Sequence, residues 1–265
     1  MAEDDKINYA EYIAELRLID DVMMTCCFDG NIEAAQLLLR ITLNKPDLIV
    51  LSVTTQKLIK NLHGRSLWLD IYAKDGENEY DVEIQRADSG ASPKRARYHS
   101  SMMDANSLNP KDKFSNLHET YVIFITENDV LGKGLPIYRI DRTILETGAS
   151  FGDGSHIVYV NGECQDETPL GQLMHDFFCT DPKEMHYKEL AESVRYHKED
   201  EQGVKEMGSI MEKFRKDVTE IAERNTKIHF AKKAIAEGKF SHEEIADLCE
   251  LPLRDVEILA GKKSA

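Results

Sequence analysis

The sequence has no apolar run near the 18 residues that a membrane helix needs, so it predicts no membrane span. Cysteine is scarce: the five cysteines are odd in number and include no Cys-x-x-Cys pair. This pattern favours a reduced, cytoplasmic protein over a disulfide framework. The acidic start, MAEDDKINYAEY, contains no apolar segment, and we therefore expect no secretory signal there.

Basic side chains are also in short supply, because Lys and Arg number 33 against 48 for Asp and Glu, which gives a net charge of −15. This balance argues against a nonspecific DNA coat or a membrane-surface binder, both of which need a basic surface. It leaves open a nuclease, whose site is made positive locally or by a metal ion. The sequence contains no Walker loop and no dinucleotide glycine fingerprint.

The chain of 265 residues has room for one large domain or two modest ones, and its composition changes near residue 186. The first 186 residues carry 18 basic and 31 acidic side chains, whereas residues 187–265 carry 15 and 17. The first part mixes helix and strand patterns, and the second is helical in pattern throughout. We therefore predict an α/β domain over residues 1–185 and an all-helical region over residues 186–265.

Apolar spacing and turn residues predict the order of elements in the first part. The predicted helices cover residues 20–43, 93–108 and 168–179. The predicted strands cover residues 48–54, 66–73, 79–86, 121–126, 136–144 and 156–161. The run at 121–126, YVIFIT, is apolar throughout, as expected of a buried central strand.

The most informative segment is a predicted hairpin around the turn sequence KDGEN. If the turn is centred between Gly76 and Glu77, Asp70 lies opposite Glu83, and Gln85 shares their face. Opposed carboxylates repel each other, and a divalent cation such as Mg²⁺ or Mn²⁺ would reverse the sign of that interaction. The alternative is an exposed acidic ladder in an acidic protein, since the register is only inferred.

Several ordered motifs surround this hairpin. LDIYAKDG at 69–76 is followed by VEIQ at 82–85, and Asp20-Asp21 opens the first predicted helix. PKRARY at 93–98, YVIFI at 121–125 and GKGLPIY at 132–138 complete the set. Over about residues 16–162 the sequence resembles the PD-(D/E)XK nuclease superfamily. Within it, the sequence resembles the Rpn-type recombination-promoting nucleases, also described as PD-(D/E)XK family transposases.

The resemblance implies a restriction-endonuclease-like core, with a central mixed sheet flanked by helices, and metal-dependent hydrolysis of DNA phosphodiester bonds. It implies that Asp70 and Glu83 are catalytic carboxylates that hold Mg²⁺ or Mn²⁺, with Asp21 supporting the metal. Gln85 stands where the motif usually has lysine. Its amide can orient water by donating and accepting hydrogen bonds, but it brings no positive charge.

The clearest local positive cluster is the predicted helix that begins at Pro93. Lys94 and Arg97 are three residues apart and share a face, while Arg95 and His99 are four apart on an adjacent face. We interpret Lys94, Arg95 and Arg97 as contacts to DNA phosphates beside the active site. The alternative is a solvated helix face.

The helical region carries a seam of residues spaced alternately by three and four. Its members are Val204, Met207, Met211, Phe214, Val218, Ile221, Asn225 and Ile228. Such a seam predicts a coiled coil and a homodimer, with a helix packed on its own domain as the alternative. A helix-turn-helix-like pair follows over residues 241–260, and its acidic Asp255 and Glu257 favour packing or assembly over base readout.

Together these patterns predict a cytoplasmic, metal-dependent DNA endonuclease, with recombination, mobile elements and phage defence as the settings open to it. One alternative is a nuclease-fold protein with weak or no activity that binds DNA or regulates. The other is an RNA nuclease with the same metal site.

Overall fold

The computed structural model describes residues 9–61 and 65–261, and it describes no side chains at 9–10, 214–215 and 217–225. Its helices are α1 (Tyr9–Glu15), α2 (Asp21–Phe28), α3 (Ile32–Leu43), α4 (Pro93–Ser107), α5 (Pro169–Phe178), α6 (Lys188–Glu199), α7 (Glu201–Glu237), α8 (His242–Cys249) and α9 (Leu253–Leu259). Its strands are β1 (Ser52–Ile59), β2 (Leu67–Lys74), β3 (Asn78–Gln85), β4 (Glu119–Thr126), β5 (Ile137–Ile140) and β6 (Ser155–Asn161).

The six strands form one mixed sheet in the order β1-β2-β3-β4-β6-β5. The β3–β4 and β4–β6 pairs are parallel, whereas the β1–β2, β2–β3 and β5–β6 pairs are antiparallel. Every residue from Glu79 to Ile84 and from Thr120 to Thr126 is buried, so the central strands are covered on both faces. The prediction of an α/β fold with a central mixed sheet flanked by helices is confirmed.

Two predicted elements differ from the structure, one by an interior break and one in where it begins. The single helix predicted over 20–43 is two helices, because Gly30 has a φ of 68° and the Asn31 side chain caps α3 by accepting the Ala34 N–H. The strand predicted over 48–54 begins only at residue 52. The Arg40 side chain donates to the Leu48 carbonyl, so this backbone group is satisfied by α3 instead of by a neighbouring strand.

The register of the β2–β3 hairpin is the predicted one, with Ile71 opposite Val82 and Lys74 opposite Glu79. The ladder ends at Ile71–Val82, beyond which the two strands separate. β1 is irregular at the same level, because Gln56, the residue across from Asp70, has a φ of 50° in the left-handed region.

The irregularity reverses the side-chain alternation of β1 and β2. Leu69 and Tyr72 pack into one core cluster, although residues three apart on a regular strand face opposite sides. Ile59 and Leu67, a cross-strand pair beyond the irregular position, belong to the same cluster.

The chain divides into one unit over residues 1–208 and a second over 209–265. The predicted boundary at 185 lies earlier, because α6 is amphipathic and buries its apolar face in the first unit. Ser193 and His197 of α6 hydrogen-bond to the carbonyls of Cys27 and Cys26 in α2. The second unit has its own small core, formed by Ala231, Ile245, Ala246, Leu251 and Val256.

The predicted seam of α7 is described only near its two ends. Met207 is fully buried, and Ile228 packs against the core of the second unit, so both positions find partners within the chain. The side chains of Phe214, Val218 and Ile221 lie outside the described residues, as does that of Asn225. The predicted dimer therefore stays a prediction. Of the four seam positions with described side chains, Met207 and Ile228 favour the alternative of a helix packed on its own chain, and Val204 and Met211 are half-buried.

Among the described residues, no helix is long and apolar enough to cross a membrane. All five cysteines are free thiols.

Asp75 fixes the turn that sets the hairpin register. Its carboxylate accepts the backbone N–H groups of Glu77 (2.8 Å) and Asn78 (2.6 Å) and the hydroxyl of buried Tyr80 (2.6 Å). Burial raises the pKa of Asp75, but these hydrogen bonds outweigh it and hold the pKa below its usual value.

We expect Asp75→Ala to lower the free energy of unfolding by about 1–3 kcal/mol, since it leaves several donors without their acceptor. Urea denaturation measures the loss. Glu77→Ala is the control, because the Glu77 side chain is exposed in the same turn and its removal should change the value by no more than about 0.5 kcal/mol. Equal losses in the two variants would contradict the role of Asp75.

Candidate metal centre

The candidate site lies where β2 and β3 separate. The Asp70 backbone N–H donates to Glu83 Oε1 at 3.2 Å, and Asp70 Oδ2 accepts the Ile84 N–H at 3.0 Å. The Asp70 carboxylate thus takes the place of a missing ladder bond. Gln56 donates from Nε2 to Asp70 Oδ1 at 3.4 Å. The two carboxylates predicted to lie together are therefore brought together, by a fork in the sheet instead of a continuous ladder.

Helix α4 supplies the basic partners of these carboxylates. Arg95 donates from Nη2 to Glu83 Oε2 at 2.6 Å, and the Glu83 side chain is fully buried. One helical turn later, the His99 ring lies 2.7 Å from Asp81 Oδ2 through its Nδ1 atom. Because Asp81 and Glu83 are two apart on β3 and Arg95 and His99 four apart on α4, both pairs face each other.

The hydrogen bonds of His99 define its tautomer. Its Nε2 accepts from Arg95 Nε at 3.2 Å, so the ring proton is on Nδ1 and is donated to Asp81. Burial lowers the pKa of His99, and the nearby Arg95 charge lowers it further, although the Glu83 carboxylate opposes the change. His99 is therefore a neutral, oriented group.

The surroundings of the three carboxyl groups disfavour their ionised forms. Burial, followed by the nearby Glu83 charge, raises the pKa of Asp70 to about 8. Burial and the Asp81 charge raise the pKa of Glu83 to about 8, against the opposing effects of His99 and Arg95. The pKa of Asp81 is raised well above its usual value, mainly by burial and then by Asp70.

The charges and orphaned atoms of the site fit a divalent cation. One guanidinium, on Arg95, stands against the carboxylates of Asp70, Asp81 and Glu83, so two negative charges are in excess when all are ionised. Asp81 Oδ1 is buried, and it accepts no hydrogen bond from the described part of the chain. Carboxylate oxygens of Asp81 and Glu83 lie within 4.8 Å of each other, and His99, whose two ring nitrogens are already engaged with Asp81 and Arg95, lies beside them. Such oxygen-rich groups suit Mg²⁺ or Mn²⁺.

The other predicted site residues lie around this cluster. Asp21 opens α2, and its charge contributes to the raised pKa of Asp70. Burial also raises the pKa of Asp21 itself. Gln85 accepts from Arg95 Nη1 at 3.5 Å, and its amide oxygen lies against Gly90, where a Cβ atom would collide with it.

The predicted DNA-binding residues divide into two groups. Lys94 and Arg97 are exposed on α4, where they are accessible to a polyanion. Arg95 is instead turned towards the carboxylates, with 35% of its side chain exposed. The prediction that Arg95 and His99 share a helix face is confirmed by their direct hydrogen bond.

Asp81 and the His99 contact were not assigned to the site from the sequence. A signal was present in both segments, since Asp81 alternates with Glu83 on one strand and His99 follows Arg95 by four residues. The packing of α4 on β3, which brings these residues together, depends on the tertiary fold and could not be predicted from the sequence.

Comparisons with known proteins add no family to this geometry. No family model matches the chain, no curated protein matches it, and no solved structure matches it. The resemblance to PD-(D/E)XK nucleases therefore rests on the sequence motifs alone.

The raised pKa values of Asp70 and Glu83 predict a pH dependence of stability. Between about pH 5 and pH 8 the folded protein retains protons that the unfolded chain has already released, because both groups have pKa values of about 8 when folded. The contribution of these groups is therefore present at low pH and is lost as the pH rises towards 8. We expect the free energy of unfolding, measured by urea denaturation in EDTA, to show this fall.

The double variant Asp70→Asn/Glu83→Gln is the control for other titrating groups, since neither replacement ionises. Its stability should fall less steeply between pH 5 and pH 8 than that of the wild type. A wild-type curve parallel to that of the double variant would contradict the raised pKa values.

Proposed function

We propose that this protein is a divalent-metal-dependent DNA endonuclease of the PD-(D/E)XK type, which hydrolyses phosphodiester bonds. The observation that carries the proposal is the excess of two negative charges among half-buried Asp70 and buried Asp81 and Glu83, which matches the charge of one Mg²⁺ or Mn²⁺ ion. Carboxylates in this setting need a cation, because burial without one disfavours their ionised form. The sequence motifs around Asp70 and Glu83 support the same assignment.

In this proposal Asp70 and Glu83 hold the metal, with Asp81 beside them and Asp21 supporting from α2. The metal would supply Lewis-acid polarisation of the scissile phosphate and lower the pKa of a water molecule. The Gln85 amide orients the attacking water by donating and accepting hydrogen bonds. Arg95 restrains Glu83, and its exposed part can donate to a phosphate oxygen. His99 donates a hydrogen bond to Asp81 and thereby fixes the orientation of its carboxylate.

Lys94 and Arg97 are proposed to hold the DNA backbone near the site. Both are exposed on the helix that also supplies Arg95, so contacts to a strand and to the carboxylates originate from one rigid element. A dimer through α7, which would let two sites cut both strands of a duplex, remains part of the proposal without support from the described side chains.

The proposal predicts that cleavage needs both motif carboxylates. We expect Asp70→Asn and Glu83→Gln each to reduce Mg²⁺- or Mn²⁺-dependent plasmid cleavage strongly, because each replacement removes a charged metal ligand. The loss should exceed the roughly 10–100-fold that is typical when a residue supporting a metal ligand is replaced. Isothermal titration with Mn²⁺ should show a matching loss of metal affinity. Both replacements are nearly isosteric, so circular dichroism should be unchanged.

Glu167→Gln is the matched control, since Glu167 is an exposed carboxylate in the loop between β6 and α5. It should cleave and bind Mn²⁺ as the wild type does. Full cleavage by purified Asp70→Asn or Glu83→Gln would reject the assignment of the site, as would wild-type cleavage that persists in EDTA.

Gln85 gives a separate prediction. Gln85→Leu cannot hydrogen-bond to water, so we expect it to slow cleavage while Mn²⁺ affinity stays within about twofold, since the ligand carboxylates are intact. Gln85→Glu, which only accepts when ionised, adds a further negative charge and should raise Mn²⁺ affinity. Equal cleavage rates for wild type and Gln85→Leu would show that the amide has no part in catalysis.

The two alternatives separate in the same assays. A regulatory protein with this fold would bind DNA but fail to cleave plasmid with either metal. An RNA nuclease would cleave a single-stranded RNA and leave the plasmid intact, with the same dependence on Asp70 and Glu83.

A further inference from the structure

A second concave surface lies next to the carboxylate fork. It is a cleft of about 430 Å³ between β1, β2 and the end of α4, and its polar lining includes Lys57, Lys60, Tyr72, Lys74, Glu79 and Ser107. Lys57 follows directly after the irregular Gln56. The reversed alternation beyond that position brings Lys57 over the Tyr72 ring, with its Nζ 3.3 Å from the ring centroid.

The charges of the cleft are not balanced. Lys74 pairs with the nearly buried Glu79 at 2.6 Å, which neutralises it. Among the residues that the structure describes, no carboxylate forms a salt bridge with Lys57 or Lys60. The cleft thus holds three ammonium groups, of Lys57, Lys60 and Lys74, against the single carboxylate of Glu79, which also interacts with Lys57, and it has an excess of positive charge in a chain whose net charge is −15.

The position of Lys57 is unfavourable for a cation. Burial and the neighbouring Lys74 charge both lower its pKa, and the Tyr72 ring faces Lys57 and Lys74 at once. A cation–π contact at a partly exposed site offsets only about 0.5–1 kcal/mol of this. An anion in the cleft would interact favourably with both lysines. Ser107 adds a hydroxyl that has no hydrogen-bond partner in the described ranges.

The cleft lies close to the carboxylate fork along two elements that contribute to both, strand β2 and helix α4. Tyr72 is two residues after Asp70 on β2, about 7 Å along the strand. Met103, which also lines the cleft, is one turn after His99 on α4, about 6 Å along the helix. Such distances correspond to roughly two nucleotides along the axis of one strand of a duplex.

We propose that this cleft is a phosphate-binding subsite, in which Lys57 and Lys60 hold the backbone of the nucleic-acid strand that leads away from the carboxylate fork. The inference rests on the proposed function for the identity of the polyanion. It assigns the strand a path along β1 and the end of α4, in addition to the exposed Lys94 and Arg97.

The test measures binding without cleavage. A fluorescein-labelled 20-bp DNA duplex is titrated with the full-length protein in EDTA, and anisotropy is followed from 50 to 200 mM NaCl. Each phosphate contact contributes close to one unit to the slope of log K against log salt, so Lys57→Ala/Lys60→Ala should reduce the slope by about 2 and weaken binding at every salt concentration. Lys57→Arg/Lys60→Arg should restore the slope.

The double variant Lys183→Ala/Lys188→Ala is the charge-matched control, since Lys183 is exposed in the α5–α6 loop and Lys188 is exposed at the first residue of α6. It should leave both slope and affinity unchanged. Equal slopes for wild type and the double alanine variant would overturn the proposal. The proposal would also be overturned if titration calorimetry showed that the wild type binds inorganic phosphate while anisotropy showed no binding of the duplex. The cleft would then be a site for small anions.

The binding assay also separates this inference from the proposed function. Lysine-dependent binding by a protein that fails to cleave with Mg²⁺ or Mn²⁺ would support the cleft and reject the endonuclease. If the protein cleaves DNA but its DNA affinity does not depend on Lys57 and Lys60, the endonuclease is supported and the cleft proposal is rejected.

Discussion

The ion pair between Arg95 and Glu83 is the interaction on which the arrangement of the site depends. Glu83 lies on the second of the four central strands with none of its side chain exposed, where an unpaired carboxylate would be very costly. Arg95 reaches it at 2.6 Å and thereby fixes the rotation of α4 over the sheet. That rotation determines what the next turn of the helix contacts, and it places His99 against Asp81. Removing Arg95 would thus disturb two carboxylates through one contact.

This pair only partly compensates the buried charge, which gives the site a conflict between stability and function. Folding without a cation favours protonated carboxylates, whereas binding a cation requires them ionised. The irregular backbone of Gln56 adds to the cost, since a left-handed φ is unfavourable for a residue with a side chain. It also ends the regular ladder and lets Asp70 turn towards the Ile84 N–H. Strain and charge repulsion are therefore concentrated at the same place in the sheet.

Local patterns were sufficient to predict the hairpin and much of the sheet. The turn at Gly76 and the two-residue period of a strand together define which residues lie opposite each other, so Asp70 and Glu83 could be paired from the sequence. The fork could not be predicted, because the φ of Gln56 is not evident from a β-compatible sequence. For the same reason regular alternation gives no indication that Lys57 and Tyr72 meet. The contact of His99 with Asp81 depends on the docking of a helix on a strand, and no local rule specifies it.

The net charge of the chain is a poor guide to what it binds, since electrostatic interactions act over short distances in salt. At physiological ionic strength exposed charges more than about 8 Å apart are largely screened from each other. The fork and the cleft lie within that distance of each other, so a cation held by Asp70, Asp81 and Glu83 would also favour an anion held by Lys57 and Lys60. A negative cluster next to a positive cleft is the arrangement that suits a metal ion and a phosphate backbone bound side by side, and a value of −15 averaged over the whole chain obscures it.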